Sequence, residues 1–110
     1  MRYALHMTTP DPILLKFRAA LNELYGDRIE RVVLYGSRAR GDAKPDSDYD
    51  IALFLKDLTD AWHEIDCIIE IELAIRDETD VDIHTMPFPA GRWRDRTPLM
   101  HEIRKDGFDL

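Results

Sequence analysis

The chain has 110 residues, 45% of them apolar and 34% charged, and a formal net charge of −7 at pH 7. That length suits one compact domain, expected over residues 11–110 after a loose lead-in at residues 1–10, and the composition is that of a globular protein. No run approaches a membrane span and no apolar signal core opens the chain, so a cytoplasmic location is expected, while the acidic balance argues against a broad nucleic-acid surface.

Asp11-Pro12 suits a helix start, with Asp as the cap and Pro in the first turn. Ile13, Leu14, Phe17, Ala20, Leu21 and Leu24 then recur at helical spacing, which predicts an amphipathic helix ending near Gly26. Arg28 to Tyr35 reads as the first strand, with the continuous apolar core Val32-Val33-Leu34-Tyr35 of a central strand. Ser37 to Arg40 forms a short helical turn, and Gly41 to Ser47 a loop punctuated by Pro45. The second strand is expected from Asp48 to about Lys56.

Asp60 caps the next helix, expected to run to about Arg76. Its apolar arc of Trp62, Ile65, Ile68, Ile69, Ile71, Leu73 and Ile75 is wider than one sheet face needs. Contact with a partner and burial beneath neighbouring helices account for it equally well. Cys67, the single cysteine, excludes an internal disulfide and reads as a small hydrophobe on this helix. Glu72 interrupts the arc and is expected to pair with an Arg.

Thr79 to Thr85 is expected as a short third strand, ended by Met86-Pro87-Phe88-Pro89 because two prolines remove donors. Arg92 to Arg96 follows as a basic loop bearing Trp93, and Pro98 to Lys105 as a final helix ending before Gly107. The elements together predict a small mixed-sheet α/β (α+β) domain.

The chemistry concentrates in one run. Val32 to Tyr35 enters the turn Gly36-Ser37, and after ten residues the second strand opens with Asp48-Tyr49-Asp50. Side chains alternate along a strand, so Asp48 and Asp50 share a face, roughly 6.5–7 Å apart along it, with Tyr49 on the other. Two carboxylates so placed can converge on divalent cations. A Gly-Ser turn offers backbone N–H groups and a hydroxyl to phosphate oxygens, and Arg38 and Arg40 stand beside it. Strand-end aspartates and Gly-containing turns also occur as purely structural features. Their combination, with a third acidic position in Asp80-Val81-Asp82-Ile83-His84, is what points to phosphoryl or nucleotidyl transfer. His63, His84 and His101 stay outside the catalytic set, as isolated histidines are more often surface groups.

The run Gly36-Ser37-Arg38-Ala39-Arg40-Gly41, followed by Asp48-x-Asp50, resembles the signature of the nucleotidyltransferase superfamily that includes DNA polymerase beta. In size it is similar to the minimal nucleotidyltransferases, several of which are antitoxins paired with HEPN-domain toxins. The resemblance covers most of residues 28–84. It implies a nucleotidyltransferase fold in which Asp48, Asp50 and Asp82 hold two Mg²⁺ ions. Gly36 and Ser37 would then cradle the β- and γ-phosphates of ATP, with Arg38 and Arg40 available to the leaving group. It further implies transfer of AMP to a tyrosine hydroxyl of a cognate HEPN ribonuclease, in a hetero-oligomer with that toxin. A chain of this size is expected to borrow its acceptor surface from another molecule. Two other readings stand beside this one: an antitoxin that binds without chemistry, and a transferase acting on a small molecule.

Overall fold

The computed structural model describes residues 11–110, so the lead-in expected at residues 1–10 lies outside the described residues. Helix α1 (Pro12–Tyr25) begins where Asp11 Oδ1 accepts from the Ile13 N–H at 2.8 Å, and it buries Phe17, Leu21 and Tyr25. A single 3₁₀ turn, Gly26–Arg28, leads into β1 (Ile29–Tyr35), and α2 (Ser37–Arg40) is one helical turn. Strand β2 (Tyr49–Leu55) follows the expected loop. Helix α3 (Ala61–Thr79) starts at Asp60, whose carboxylate accepts from the His63 N–H at 3.2 Å. It runs almost a turn past Arg76, closing where the Asp80 N–H donates to Arg76 O at 2.8 Å and Thr79 Oγ1 to Ile75 O at 2.7 Å. Strand β3 (Ile83–Pro89), a 3₁₀ turn (Ala90–Arg94), α4 (Pro98–Asp106) and β4 (Phe108–Asp109) complete the chain.

The sheet order is β3-β2-β1-β4. Strands β1 and β2 pair antiparallel, β2 and β3 parallel through the α3 crossover, and β4 adds antiparallel to β1. One face packs Ile51, Leu53 and Ile83 against Phe17 and Leu21 of α1 and Ile68 and Ile75 of α3. The other packs Val33, Ala52 and Phe54 against Met100 and Ile103 of α4. Ile51 to Leu55 are fully buried, because β2 is covered on both faces; this is why that strand reads as an unbroken apolar run. No helix among the described residues is long and apolar enough to cross a membrane.

Two expectations are corrected. The third strand does not run from Thr79 to Thr85 but from Ile83 to Pro89, since α3 holds the chain to Thr79. It is an edge strand. The Tyr49 N–H donates to Asp82 O at 3.0 Å, and the parallel register sets Tyr49 opposite Ile83. The backbone groups of residues 84, 86 and 88 therefore turn toward β2, while Pro87 and Pro89 place their donorless nitrogens on the free edge, where none is needed. The second correction is β4, which the sequence reading left unassigned. Two residues give too short a pattern to register alternation, and Gly107 lets them dock.

A Cβ at Gly107 would lie 2.3 Å from Ile103 O and 2.4 Å from Val33 Cγ1. Gly107→Ala is therefore expected to cost about 1–3 kcal/mol through overpacking, read as a lower urea midpoint. An unchanged midpoint would show that the α4–β4 junction yields.

Candidate active site

The site forms where β1 ends and β2 begins, on the sheet face that α4 covers. Gly36 turns the chain with φ +74°, and a Cβ there would lie 2.5 Å from Asp50 Oδ2. Both the backbone angle and the approach of the carboxylate demand glycine. Gly36 O then accepts from the Ala39 and Arg40 N–H groups at 3.1 and 3.0 Å, which winds α2 directly from the turn. Ser37 opens that turn, so its N–H belongs to the first-turn donors that lack an intrahelical acceptor.

Register places three residues in a row across the strands: Tyr35 opposite Asp50, and Asp50 opposite His84. Asp48, two residues before Asp50, has its Oδ2 at 3.0 Å from His84 Nε2. Asp50 is half-buried and makes no ion pair among the described residues. Burial pushes its carboxyl up from the ordinary value; His84 opposes that, Asp48 and Glu102 add to it, and Arg40 opposes it again. The Tyr35 phenol is likewise pushed up, by burial first and then by Asp50 and Glu102.

The two arginines beside the turn diverge. Arg40 bridges Asp42 and Glu102, each at 3.3 Å, and so stays on the α4 side. Arg38 turns to the loop instead, donating to Ser47 O at 2.8 Å and Pro45 O at 3.2 Å, with its guanidinium 4.4 Å from the Tyr49 ring centroid. The Tyr49 hydroxyl donates to Asp11 Oδ2, and burial followed by that contact pushes its pKa up to about 12. Arg38 and Tyr49 thus fasten the loop before β2 to the start of α1.

Asp82 lies just ahead of β3, and its Oδ1 is 3.3 Å from Arg76 Nη1. Asp48, Asp50 and Asp82 border the same end of the sheet without closing into a cluster. Among the described residues, the trio of His, Cys, Asp or Glu whose ligand atoms lie within 4.8 Å of one another is His63, Glu64 and Cys67 on α3. Glu64 there is already engaged by the Tyr25 hydroxyl at 2.9 Å and Arg28 at 3.5 Å. Cys67 is half-buried, with Sγ 3.8 Å from His63 Nε2.

Two residues near the site escaped the sequence reading, and a third, His84, is legible there but stands outside its catalytic set. Alternation from Asp82 sets His84 on the same face. Glu102 and Tyr35 had no such signal, because only the packing of α4 across the sheet brings Glu102 to the turn. Glu72 does not pair with an Arg as expected, since Arg76 is taken by Asp82. Instead, burial raises its carboxyl, only partly offset by Thr85 and His84 nearby. The Trp93 loop sits at the opposite end of the sheet, with its ring edge-on to Phe54 at 5.5 Å and capped by Arg31 at 4.1 Å.

Residues 20–107 match the family described as polymerase beta, nucleotidyltransferase. A 46-residue stretch is 35% identical to MJ0141 of Methanocaldococcus jannaschii, provisionally named a protein adenylyltransferase, and covers 42% of this chain and 46% of that one. The chain thus spans under half the length of that relative. Among solved structures, a chain of a toxin–antitoxin complex crystallised with AMP-PNP superposes with a TM-score of 0.57 at 20% identity, covering 84% of this chain and 68% of that one. A second is from the tri-AMPylated Shewanella oneidensis HEPN toxin in complex with MNT antitoxin, with a TM-score of 0.50 at 17% identity, covering 88% and 70%. At these identities the two structures establish a shared fold.

The unpaired Asp50 gives a prediction about stability. The folded protein holds this carboxyl's proton more tightly than the unfolded chain does. Its contribution is therefore intact below the unfolded pKa of about 3.9 and is lost as pH rises through the elevated folded value. Without divalent cations, Asp50→Asn should be more stable than wild type at pH 7, by about 0.5–1 kcal/mol given solvent screening, and the difference should vanish below about pH 4. Urea midpoints at the two pH values decide it; equal midpoints at pH 7 would remove the argument.

Proposed function

We propose that the chain, which belongs to the polymerase beta nucleotidyltransferase family, is a nucleotidyltransferase that moves AMP from ATP to a tyrosine hydroxyl of a cognate HEPN-domain toxin, acting in the cytoplasm as its antitoxin. The observation that carries this reading is the half-buried Asp50 carboxylate, without an ion pair among the described residues, seated over the Gly36-Ser37 turn beside Asp48. The AMP-PNP complex, the AMPylated HEPN toxin and the adenylyltransferase relative favour the same transfer.

The donor set fits a hard divalent cation. Asp48, Asp50 and Asp82 offer only carboxylate oxygens, and a carboxyl pushed up by burial and a like charge is relieved by a cation. Mg²⁺ held there would polarise the phosphate and acidify the attacking hydroxyl. The remaining work falls to the chain itself. The Gly36 backbone and the Ser37 hydroxyl bind the terminal phosphates, with first-turn N–H groups directed at the anion. Arg40, held on the α4 side by Glu102, neutralises charge on the leaving pyrophosphate. Arg38 acts one step removed, fixing the loop that delivers Asp48. His84 orients Asp48. The phenolic oxygen attacks the α-phosphorus, the bond to pyrophosphate breaks, and the phenolic proton passes to Asp82 once Arg76 releases it.

That last requirement favours a second reading. If Arg76 keeps Asp82, the domain binds the toxin without chemistry. The experiment is to incubate the chain with the protein encoded beside it, Mg²⁺ and ATP, and weigh both by intact-mass spectrometry. An adenylyl increment on the partner is expected. In Asp48→Ala and Asp50→Ala the rate should fall by more than about 100-fold, beyond the loss typical of outer-sphere partners, with the fold intact. A stable complex with no increment under any nucleotide or divalent metal would establish the binding-only antitoxin.

A further inference from the structure

Helix α3 and the edge strand β3 enclose a groove of about 470 Å³. Its walls are apolar and uncovered: Leu73 is 56% exposed, Met86 48% and Ile69 40%. Large apolar side chains grouped along one groove are unlike the scattered exposure of an ordinary surface. On its floor the buried Glu72 carboxyl lies against Thr85, whose hydroxyl and backbone offset its burial only in part, and it makes no ion pair among the described residues. A buried carboxylate without a cation is costly. The end of the groove near the α3 C-terminus is lined by Asp82 and His84, residues of the active site.

We propose that this groove seats an amphipathic helix of the acceptor protein, whose apolar side chains cover Ile69, Leu73 and Met86 and whose Lys or Arg donates to Glu72. The inference rests on the acceptor being a protein. Three observations select this occupant.

First, an added strand is disfavoured. On the free edge of β3, Pro87 and Pro89 have no donor and the Thr85 backbone is turned to Glu72, leaving the Ile83 N–H for a ladder. The α3 wall from Ile65 to Arg76 spans eleven steps of ~1.5 Å, about 16 Å, the length of a three-turn helix. Second, the floor group is a carboxyl with no ion pair among the described residues, so the occupant brings a cation. A second copy of this chain would instead bring a further formal charge of −7. Third, the groove runs into the site, so a helix lying in it places the residues beyond its end beside Asp48 and Asp50.

The test titrates the protein encoded beside this chain, measuring affinity by calorimetry and transfer by intact mass, against Leu73→Asp and Glu72→Gln. Leu73 lies outside both cores, and urea midpoints verify that each variant is folded. Leu73→Asp should weaken the complex at least tenfold and raise KM for the acceptor. Glu72→Gln should weaken it several-fold and flatten its dependence on salt. Wild-type affinity and KM in Leu73→Asp would overturn the proposal, as would the absence of any complex with wild type. If wild type binds and Leu73→Asp does not, yet no AMP appears on the partner, the docking groove stands and the transfer reading falls.

Discussion

The approach of the Asp50 carboxylate to the backbone of Gly36 is the constraint on which the rest of the site depends. With Oδ2 occupying the space of a side chain at position 36, that position can only be glycine, and its positive φ turns β1 straight into α2. The same contact sets the carboxylates beside the turn that would hold phosphates. The Gly36-Ser37 turn and the Asp50 carboxyl are thus neighbours by packing, at the paired ends of two adjacent antiparallel strands. Precision at the site is inherited from a buried sheet centre.

The reverse face of β2 supplies the support. Tyr49 points away from Asp48 and Asp50, and its hydroxyl reaches the residue that caps α1 while its ring carries Arg38. Arg38 in turn holds two carbonyls of the preceding loop. One tyrosine between two aspartates therefore locks the loop, the helix start and the strand together. This also separates two arginines that look equivalent in sequence: alternate directions along a four-residue helix send Arg38 into the scaffold and leave Arg40 facing the site.

What was legible in the sequence follows from how local each signal is. The caps at Asp11 and Asp60, the period of α1 and the alternation of Asp48 and Asp50 depend on neighbours along the chain, and the structure has them. Gly36-Ser37 with Asp48-x-Asp50 was legible for the same reason. The path of β3 through two prolines was not, since whether a missing donor matters depends on which strand lies at the edge. Nor was β4, whose two residues owe their place to β1 and to the absence of a side chain at Gly107. Glu102 reaches the site only through tertiary packing of α4. The pairing of Asp82 with Arg76 likewise depends on where α3 ends relative to β3.

The distribution of unsatisfied charge separates scaffold from function more sharply than burial does. Glu64, the most buried acid, is matched inside the chain by Tyr25 and Arg28. Tyr49 is matched by Asp11, and Arg38 by loop carbonyls. A sequence that closes its structural polar groups so fully has the means to close others. Asp50 and Glu72 are nevertheless left with raised carboxyl pKa values and no ion pair among the described residues. They lie in different surroundings, one over the Gly-Ser turn and one on the floor of an apolar groove, and His84 is felt by both. Stability is given up at two points that a cation and a cationic partner would each repay, and those points adjoin along the N-terminal end of β3. Occupying one would change the electrostatics of the other, so under the proposed function nucleotide, metal and acceptor would bind as a coupled set rather than independently.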